Sequence, residues 1–449
     1  MFFTGTLYWI TRVMVVYGNL SGVVAVLVNG ALIAYLALFP AVFAGVMARL
    51  TRADGERALL FAPLVWVATE LGRTHLFTGF PWVLSGYSQV TVLPIAQLAS
   101  VFGVYGVSAL LVSVSAALAA SAIGYGHARR PHVPLAITLM VVGCIAIWGS
   151  VRVRGSALTK SGDVVRVGLL QGNVDQADKW NDQRAAEIFR RYLEMSRQAV
   201  SEGATFVLWP ESATPYPFGD DLVATEQIRS LARQTGVSIL LGSDQLDRGP
   251  AQKYYNAAFM VRPDGSDGGV YRKMHLVPFG EYVPLRHVFF FAARLVEAVS
   301  DFSPGESATA LPVGEHLVST AICYEIVYPD LVRQFVEAHS ELLTTITNDA
   351  WFGPTSAPYQ HFAQASMRAI ENGRYLVRAA NTGISGIVDP YGHVTARSGL
   401  YEPAVIVGEA RFLKTPTIYS RTGDVFAYGC LGVTMVLLVA MRRSGTMKR

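Results

Sequence analysis

The sequence predicts an α/β domain inserted before the last helix of an α-helical transmembrane bundle of about six spans. One observation is composition: of 449 residues, 51% are hydrophobic and 16% are charged, whereas about a quarter of the residues in soluble domains are charged. The other is that long apolar runs flank a polar central stretch. We therefore predict a helical bundle over 1–151, a soluble domain over 152–424, and a last helix with a basic tail over 425–449.

The clearest spans are four uncharged runs. They cover 22–48, 92–124, 133–151 and 425–441. A helix needs about 17 to 25 residues to cross a bilayer, and each run is near or above that length. These runs predict four transmembrane helices.

Two further segments predict spans less directly. The run at 58–69 is shorter and ends at Glu70 and Arg73, so it is either a span whose polar end faces the interface or a buried helix; we favour the span. Residues 1–17 carry Arg12 and lack the basic start and the small-residue cleavage site of a signal peptide. We predict a first span there.

Basic residues predict the orientation, since Lys and Arg accumulate in short cytoplasmic loops. With six spans, all the basic loops fall on one face: Arg49, Arg52 and Arg57, then Arg129 and Arg130, then Arg442, Arg443, Lys448 and Arg449. If the protein is bacterial, residues 152–424 then lie on the periplasmic face of the inner membrane. The net charge of +4 is largely explained by these loops, and no basic stripe with interleaved aromatics suggests a nucleic-acid partner.

The polar stretch predicts a two-layer α/β domain, and its roughly 270 residues can bury a full core. Predicted strands are 164–171, 205–209, 237–242, 254–261, 317–323, 342–347 and 383–388, which are rich in β-branched residues and end in turn formers. Residues 182–201 predict a helix. Its apolar stripe, Ile188, Tyr192, Met195 and Ala199, follows helical spacing and indicates packing rather than a site.

Three residues in this stretch carry the parts of an acyl-transfer site: a carboxylate, an amine and a thiol. They are Glu211 in WPES, Lys273 in YRKMHLVPFGEYVP and Cys323 in AICYE. Each has a structural alternative: a strand-end turn, a solvated lysine and a core cysteine. Because apolar runs bracket all three, we expect the acyl donor or acceptor to be a lipid or lipid-anchored. The other cysteines, Cys144 and Cys430, lie in predicted spans, so no disulfide can form within the soluble stretch.

The residue chemistry predicts a ping-pong reaction on Cys323. The cysteine ends a predicted strand before a helix predicted from Pro329, and backbone N–H groups, the helix end and Lys273 would all favour the thiolate. Glu211 is the natural base for the thiol proton. Lys273, with the backbone N–H of Tyr324, would stabilise the tetrahedral oxyanion.

The chain resembles the nitrilase superfamily, and most closely its membrane-bound branch, the apolipoprotein N-acyltransferases. The motifs are, in order, TGFPWVLSGYSQ (78–89), QGNVDQADKW (171–180), WPES (209–212), YYNAAF (254–259), RKMHLVPFGEYVPL (272–285), AICYE (321–325) and NDAWFGPTSAPYQHF (348–362). The resemblance implies an αββα nitrilase-like sandwich and a catalytic triad of Glu211, Lys273 and Cys323. It implies transfer of a phospholipid acyl chain, through a thioester, to the free amine of a lipoprotein's diacylglyceryl-cysteine. Members usually have about eight spans, so roughly two N-terminal helices would be absent here.

The resemblance also implies supporting residues near the triad. Glu281 would orient the lysine and share the proton work, unless it is a surface glutamate. Tyr324 and Glu325 flank the nucleophile and would be site residues, although Glu325 could instead form a structural ion pair. Asn256 and Asn348 are expected to hydrogen-bond the motif loops, a structural role.

Four aromatic residues are candidates for substrate binding. Trp180 and Trp351 match family tryptophans near the acyl entrance, with core packing nearly as probable. Phe290 lies in HVFFFAARLVEAV, which we interpret as an apolar arm resting on the bilayer, with a buried helix of the sandwich as the alternative. Trp82 would line a lateral lipid entrance or belong to a turn.

No metal or cofactor site is predicted. The nine histidines show no HExxH or paired spacing, and His275 and His361 are expected to serve packing or hydrogen bonding. The expected partners are a phospholipid donor and a diacylglyceryl-modified lipoprotein acceptor, and we expect a monomer. Two alternatives remain open: a membrane-tethered amidase that passes the acyl group to water, and a non-enzymatic scaffold that binds lipoproteins.

Overall fold

The computed structural model describes residues 1–124, 132–176, 178–179, 181–249, 252–283 and 302–446. Its helices in the N-terminal part are α1 (Phe2–Thr6), α2 (Trp9–Val16), α3 (Gly22–Asp54), α4 (Ala62–His75), α5 (Leu93–Ala96), α6 (Ala99–Gly124) and α7 (Val133–Gly155). Those in the rest are α8 (Asp182–Ser201), α9 (Leu222–Thr235), α10 (Pro329–Glu337), α11 (Ala357–Asn372), α12 (Ile418–Thr422) and α13 (Val425–Thr446).

Among these residues, three helical stretches are long and apolar enough to cross a membrane. They are Gly22–Thr78, which includes α3 and α4, Ala99–Ile123 and Val133–Lys160. This confirms helices of membrane-spanning length in the predicted runs at 22–48, 92–124 and 133–151. Val425–Met441 is a shorter apolar helix. The spans predicted at 58–69 and 425–441 stay predictions.

Residues 1–17 do not form the predicted first span. They fold as α1 and α2, of five and eight residues, which is far below the roughly 20 residues that a membrane crossing requires. Instead, the ring of Trp9 packs 4.9 Å from that of Phe352 in the soluble domain. Gln360 also donates a hydrogen bond to the carbonyl of Thr6. The apolar residues of this segment are used for packing on the soluble domain, which hydropathy alone does not distinguish from a span.

Two six-stranded sheets form the soluble domain within the described residues. The first has the order β12-β1-β2-β3-β4-β5, with β1 at Val164–Gln171, β2 at Phe206–Leu208, β3 at Ser238–Asp247, β4 at Lys253–Val261, β5 at Asp267–Arg272 and β12 at Ala404–Arg411. The second has the order β11-β10-β9-β8-β7-β6, with β6 at Leu311–Val313, β7 at His316–Ile322, β8 at Leu342–Thr347, β9 at Leu376–Ala380, β10 at Gly386–Val388 and β11 at Val394–Arg397. In the first sheet, β1, β2 and β3 run parallel to one another. In the second sheet, β7, β8 and β9 do the same.

Alternating side chains place one core between the sheets and a second core outside the first sheet. On β2, Phe206 and Leu208 join the core that also contains Ile322 and Ile346 of the second sheet. Val207 points the other way, into the core shared with the helix α8, as the two-residue period of a strand requires. The predicted stripe on α8 is buried. Helices α8 and α9 cover one sheet, and α10 and α11 pack on the other, which confirms the αββα sandwich.

A loop of the bundle reaches the soluble domain. After the 3-10 turn Leu76–Thr78, Gly79 has φ +81°, and a Cβ there would lie 1.7 Å from the carbonyl oxygen of Thr74, so only glycine fits. The carbonyl of Gly79 accepts a hydrogen bond from the Tyr328 hydroxyl at 3.0 Å. Arg73 of α4 holds the same loop by donating to the carbonyl of Trp82 at 2.8 Å. The bundle is thereby joined to the edge of the sandwich that carries Cys323.

Candidate active site

Lys273 and two carboxylates form the centre of the site. Lys273 directly follows β5, its side chain is 1% exposed, and its Nζ lies 2.8 Å from Glu281 Oε1 and 3.5 Å from Glu211 Oε1. Burial alone would lower the pKa of Lys273, but the charges of Glu281 and Glu211 outweigh burial and raise it. The amine is therefore a permanent cation at neutral pH.

Two asparagines orient the carboxylates, as predicted. Asn256 on β4 donates from Nδ2 to Glu211 Oε1 at 2.8 Å and to Glu281 Oε1 at 3.0 Å. The backbone N–H of Asn348 donates to Glu211 Oε2 at 2.9 Å. Glu281 is 8% exposed, so the alternative of a surface glutamate is wrong. Its Oε2 accepts from the N–H of Val277.

Cys323 lies where β7 turns into the 3-10 helix Cys323–Val327. Its φ of +52° is in the left-handed region that L-residues rarely adopt, a feature that clusters at functional sites. The side chain is buried, and its thiol interacts electrostatically with both Glu211 and Lys273. The structure thus brings together the three residues that the sequence predicted to form the triad.

The environment of the thiol corrects one expectation. Burial raises the pKa of the Cys323 thiol, the charge of Glu211 raises it further, and Lys273 lowers it only in part. The resting cysteine is therefore a thiol, not the thiolate that the helix end and the lysine were expected to favour. The need for a base is greater than the sequence suggested, because proton removal must accompany attack.

Glu325 is fully buried and ties the nucleophile turn to the lysine segment. Its Oε1 accepts from the Tyr271 hydroxyl and from the N–H groups of Met274 and His275, and its Oε2 accepts from the N–H of Ile322. The sequence left a structural ion pair as the alternative for Glu325, and the structure shows four hydrogen bonds to its carboxylate instead. Burial raises the pKa of Glu325 to about 7, although these donors favour the carboxylate.

Aromatic rings cover the site from the bundle side. The ring of Tyr324 stacks on that of Trp82 at 6.2 Å, and Trp82 lies 5.2 Å from Trp9. Trp82 is 1% exposed, and its indole donates to Gln360. Trp351, by contrast, is half-buried and packs edge-on against Tyr17 at 4.8 Å. Trp180 and Phe290 lie outside the described residues.

Sequence reasoning missed one buried group, Lys179, and for a second it predicted hydrogen bonding without indicating the partner. Lys179 is 5% exposed, and its Nζ donates to the backbone carbonyl of Glu211 at 3.3 Å; burial lowers its pKa. Its place in the QGNVDQADKW motif was a usable signal. The second is His361, which was expected only to pack or hydrogen-bond, and whose Nε2 lies 3.1 Å from the carbonyl oxygen of Cys323. No metal-binding group of three or more ligands occurs in the parts of the chain described here.

Two family models match the chain. One is described as carbon-nitrogen hydrolase and matches residues 166–412. The other is described as apolipoprotein N-acyltransferase N-terminal domain and matches residues 1–117. The N-terminal match ends within α6, and the carbon-nitrogen hydrolase match begins within β1.

Similar proteins cover almost the whole chain. An apolipoprotein N-acyltransferase of Geobacter metallireducens is 41% identical over 447 residues, which is 98% of this chain and 85% of the relative. One of Methylococcus capsulatus is 36% identical over 449 residues, with the same shares covered. Among solved structures, Saccharomyces cerevisiae Nit3 of the nitrilase superfamily has a TM-score of 0.45 at 20% identity, over 55% of this chain and 90% of that one. By its full-length relatives and both family models, the chain belongs to the apolipoprotein N-acyltransferase family.

Proposed function

We propose that this membrane protein transfers a fatty acyl chain from a membrane phospholipid to the N-terminal amine of the S-diacylglyceryl-cysteine of apolipoproteins. The acyl chain passes through a thioester on Cys323. The observation that carries the proposal is the buried convergence of Glu211, Lys273 and Cys323 under a loop supplied by the membrane bundle.

In the first half-reaction, Glu211 takes the thiol proton as the sulfur of Cys323 attacks the ester carbonyl of the phospholipid. Lys273 faces the same space and stabilises the negative oxygen of the tetrahedral intermediate. The carbon–oxygen bond to the glycerol then breaks, and Glu211 returns its proton to the departing lysophospholipid oxygen. Glu281, held 2.8 Å from the lysine, keeps the amine in place.

In the second half-reaction, the lipoprotein amine attacks the thioester. Glu211 takes one proton from the incoming ammonium and releases it to water. It takes the second proton as the nitrogen bonds to the carbonyl carbon, and passes it to the sulfur of Cys323 as the carbon–sulfur bond breaks. The products are the N-acylated lipoprotein and the free enzyme. Because the two substrates react in turn with one sulfur, the kinetics are ping-pong.

An apolar rim beside the site supports a lipid substrate. Leu76 and Phe77 on the bundle loop are 53% and 84% exposed, and Phe279 on the lysine segment is 42% exposed. Thr78 of the bundle loop interacts with Tyr282 of the lysine segment, so the two loops meet. Exposed large apolar groups clustered beside a site are typical of a membrane or lipid contact.

We further propose that the protein lies in the bacterial inner membrane with its sandwich on the periplasmic face, and that it works as a monomer. The basic segments at the other face support this orientation. Trp82 and Trp351 would act at the acyl entrance, together with the proposed apolar arm around Phe290 and with Trp180. No cofactor takes part in the chemistry proposed.

Labelled phosphatidylethanolamine tests the proposal. Purified protein incubated with it should carry a fatty-acyl adduct on Cys323 by mass spectrometry, and a diacylglyceryl-lipopeptide should remove the adduct and gain its acyl chain. Cys323→Ala should form neither product. A wild-type protein that forms no adduct under these conditions would reject the proposal.

The alternative is a membrane-tethered amidase that transfers the acyl group to water. The shared Glu-Lys-Cys arrangement keeps this alternative open. It predicts hydrolysis of simple amides at Cys323 and no transfer to the lipopeptide amine. The lipopeptide experiment reads the transfer, and a parallel incubation of the same protein with a simple amide reads the hydrolysis.

A further inference from the structure

Three buried side chains lie behind the nucleophile and have no part in the chemistry above. Asp349, in the 3-10 turn after β8, His361 on α11 and Arg378 on β9 are each 0% exposed. Asp349 Oδ1 lies 3.0 Å from His361 Nδ1, and Asp349 Oδ2 accepts from Arg378 Nη2 at 2.8 Å. The opposite ring nitrogen, His361 Nε2, lies 3.1 Å from the carbonyl oxygen of Cys323. The cluster therefore contacts the nucleophile through its backbone.

The contacts fix which nitrogen of His361 carries a proton. A carbonyl oxygen can only accept, so Nε2 facing Cys323 must be a donor. Arg378 Nη2 lies 3.0 Å from Nδ1 and can donate to it, which leaves a neutral ring with its proton on Nε2. If the ring were instead doubly protonated, Nδ1 would donate to Asp349 and Nε2 would still donate to the carbonyl. In both states the Nε2–H holds Cys323.

That hydrogen bond acts at the strained point of the chain. Cys323 has φ +52°, and a non-glycine residue stays in this region only where its surroundings hold it there. On one side, Glu325 Oε2 accepts from the N–H of Ile322 at 2.7 Å. On the other side, His361 holds the carbonyl of Cys323 itself. The turn is therefore fixed from both sides of the nucleophile.

The same cluster is linked to the base. The backbone N–H of Asn348 donates to Glu211 Oε2, and the next residue, Asp349, lies 3.0 Å from His361 Nδ1 and accepts from Arg378, which also faces that nitrogen. The hydroxyl of Thr347 donates to Asp349 Oδ1 at 2.9 Å. One short segment thus sets the position of the base through its backbone and that of the nucleophile through His361.

We propose that His361 is a positioning residue: by donating from Nε2 to the Cys323 carbonyl, it holds the nucleophile in the left-handed turn that aims its sulfur at the site of Glu211 and Lys273. This inference rests on the proposed function, because it concerns the same nucleophile. It assigns no proton transfer to His361. Its prediction is that a donor at this position is needed for attack but not for folding.

Two substitutions of similar length separate the donor from the shape. His361→Met removes the donor, whereas His361→Gln retains an amide N–H that can reach the carbonyl. Gln364→Met is the matched control, because Gln364 is buried on the same helix and donates to the carbonyl of Gln360, away from the nucleophile. Three measurements are made: single-turnover formation of the Cys323 thioester from labelled phosphatidylethanolamine, the alkylation rate of Cys323 by iodoacetamide against pH, and the unfolding temperature in detergent.

We expect His361→Met to slow thioester formation by about 10- to 100-fold, the size of one lost hydrogen bond to a buried acceptor expressed as a rate. His361→Gln should recover most of the rate, and Gln364→Met should match the wild type. The alkylation profile of His361→Met should also shift, because its sulfur is no longer held near Lys273. Equal loss in the Met and Gln variants, or none in the Met variant, would overturn the proposal.

If His361→Met does not fold, His361→Gln decides the question: a folded variant without thioester formation overturns the proposal, and one near the wild-type rate supports it. The wild-type adduct distinguishes a failure of the proposed function from a failure of the positioning role. Its absence rejects the proposed function, whereas its presence with unchanged His361 variants rejects only the positioning role.

Discussion

Lys273 is the residue that keeps two carboxylates together in one buried site. Glu211 and Glu281 both accept from the amide of Asn256, and the lysine supplies the only formal positive charge among these four side chains. Lys273→Met should lower acyl transfer by about 10³-fold, since it removes the oxyanion stabiliser and leaves two carboxylates facing each other. Steady-state transfer to the lipopeptide measures this loss. Lys414→Met should keep wild-type activity, because the Lys414 side chain is 77% exposed and pairs at 3.6 Å with Glu341, outside the site. An equal loss in both variants would contradict the role of Lys273.

The protonation state of Cys323 predicts its reactivity against pH. Because burial and Glu211 raise the pKa of the thiol, the alkylation rate should rise about tenfold per pH unit through about pH 9.5, whereas that of an ordinary thiol is half-maximal at its pKa of about 8.5 and is levelling off by then. The sign follows from the thiolate being the reactive form. Iodoacetamide labelling in a Cys144→Ser, Cys430→Ala background reports this site alone. A half-maximal rate at or below about pH 8.5 would mean that the pKa of this thiol is not raised.

At the scale of elements, Glu325 joins the turn after β7 to the segment after β5. It accepts four hydrogen bonds from Tyr271, Met274, His275 and Ile322. In Glu325→Gln, one oxygen becomes an NH₂ group that must face a donor, so we expect a loss of about 1 to 3 kcal/mol in stability. Thermal unfolding followed by circular dichroism measures it. Glu315→Gln, in the turn between β6 and β7, is the control. Equal losses of stability in the two variants would show that the hydrogen bonds of Glu325 do not stabilise the fold.

Strands β1 and β8 could be predicted because they follow local patterns. The predicted strand 164–171 coincides with β1, and 342–347 coincides with β8, since both are β-branched runs bounded by turns. β5 was missed: it holds two glycines in six residues, and its pairing with β4 is what makes it a strand. The cluster of Asp349, His361 and Arg378 was missed for a similar reason, because its members meet only when α11 packs beside β9.

Over the whole molecule, the least predictable feature was the use of apolar segments. Residues 1–17 have the hydropathy of a span, yet Trp9 packs against Trp82 and Phe352 at the site. A run of apolar residues tells how much surface must be hidden from water, but lipid and protein can both hide it. The span-length helices were predictable where length left no alternative. Because apolar surface can be buried against either lipid or protein, the same bundle can anchor the protein in the membrane and cover Cys323.

A buried ion pair fixes the bundle to the sandwich, and its removal should weaken the packing between them. On α11, Arg368 Nε lies 3.0 Å from Glu371 Oε2, both fully buried. Arg368 also donates to the Tyr87 hydroxyl of the bundle, and Glu371 accepts from the N–H of Val104 on α6. Arg368→Met leaves Glu371 as an uncompensated buried charge, which costs about 3 to 5 kcal/mol.

The apparent unfolding temperature in one detergent, at one scan rate, measures this change. Arg190→Met on α8 is the matched control, because its pair with Glu194 lies 4.0 Å apart and both side chains are more than 60% exposed; it should change stability by less than about 1 kcal/mol. We also expect Arg368→Met to lose phospholipid-dependent acylation more than iodoacetamide labelling of Cys323, since the nucleophile turn survives while its alignment with the bundle does not. Equal unfolding temperatures for the two variants would contradict the coupling.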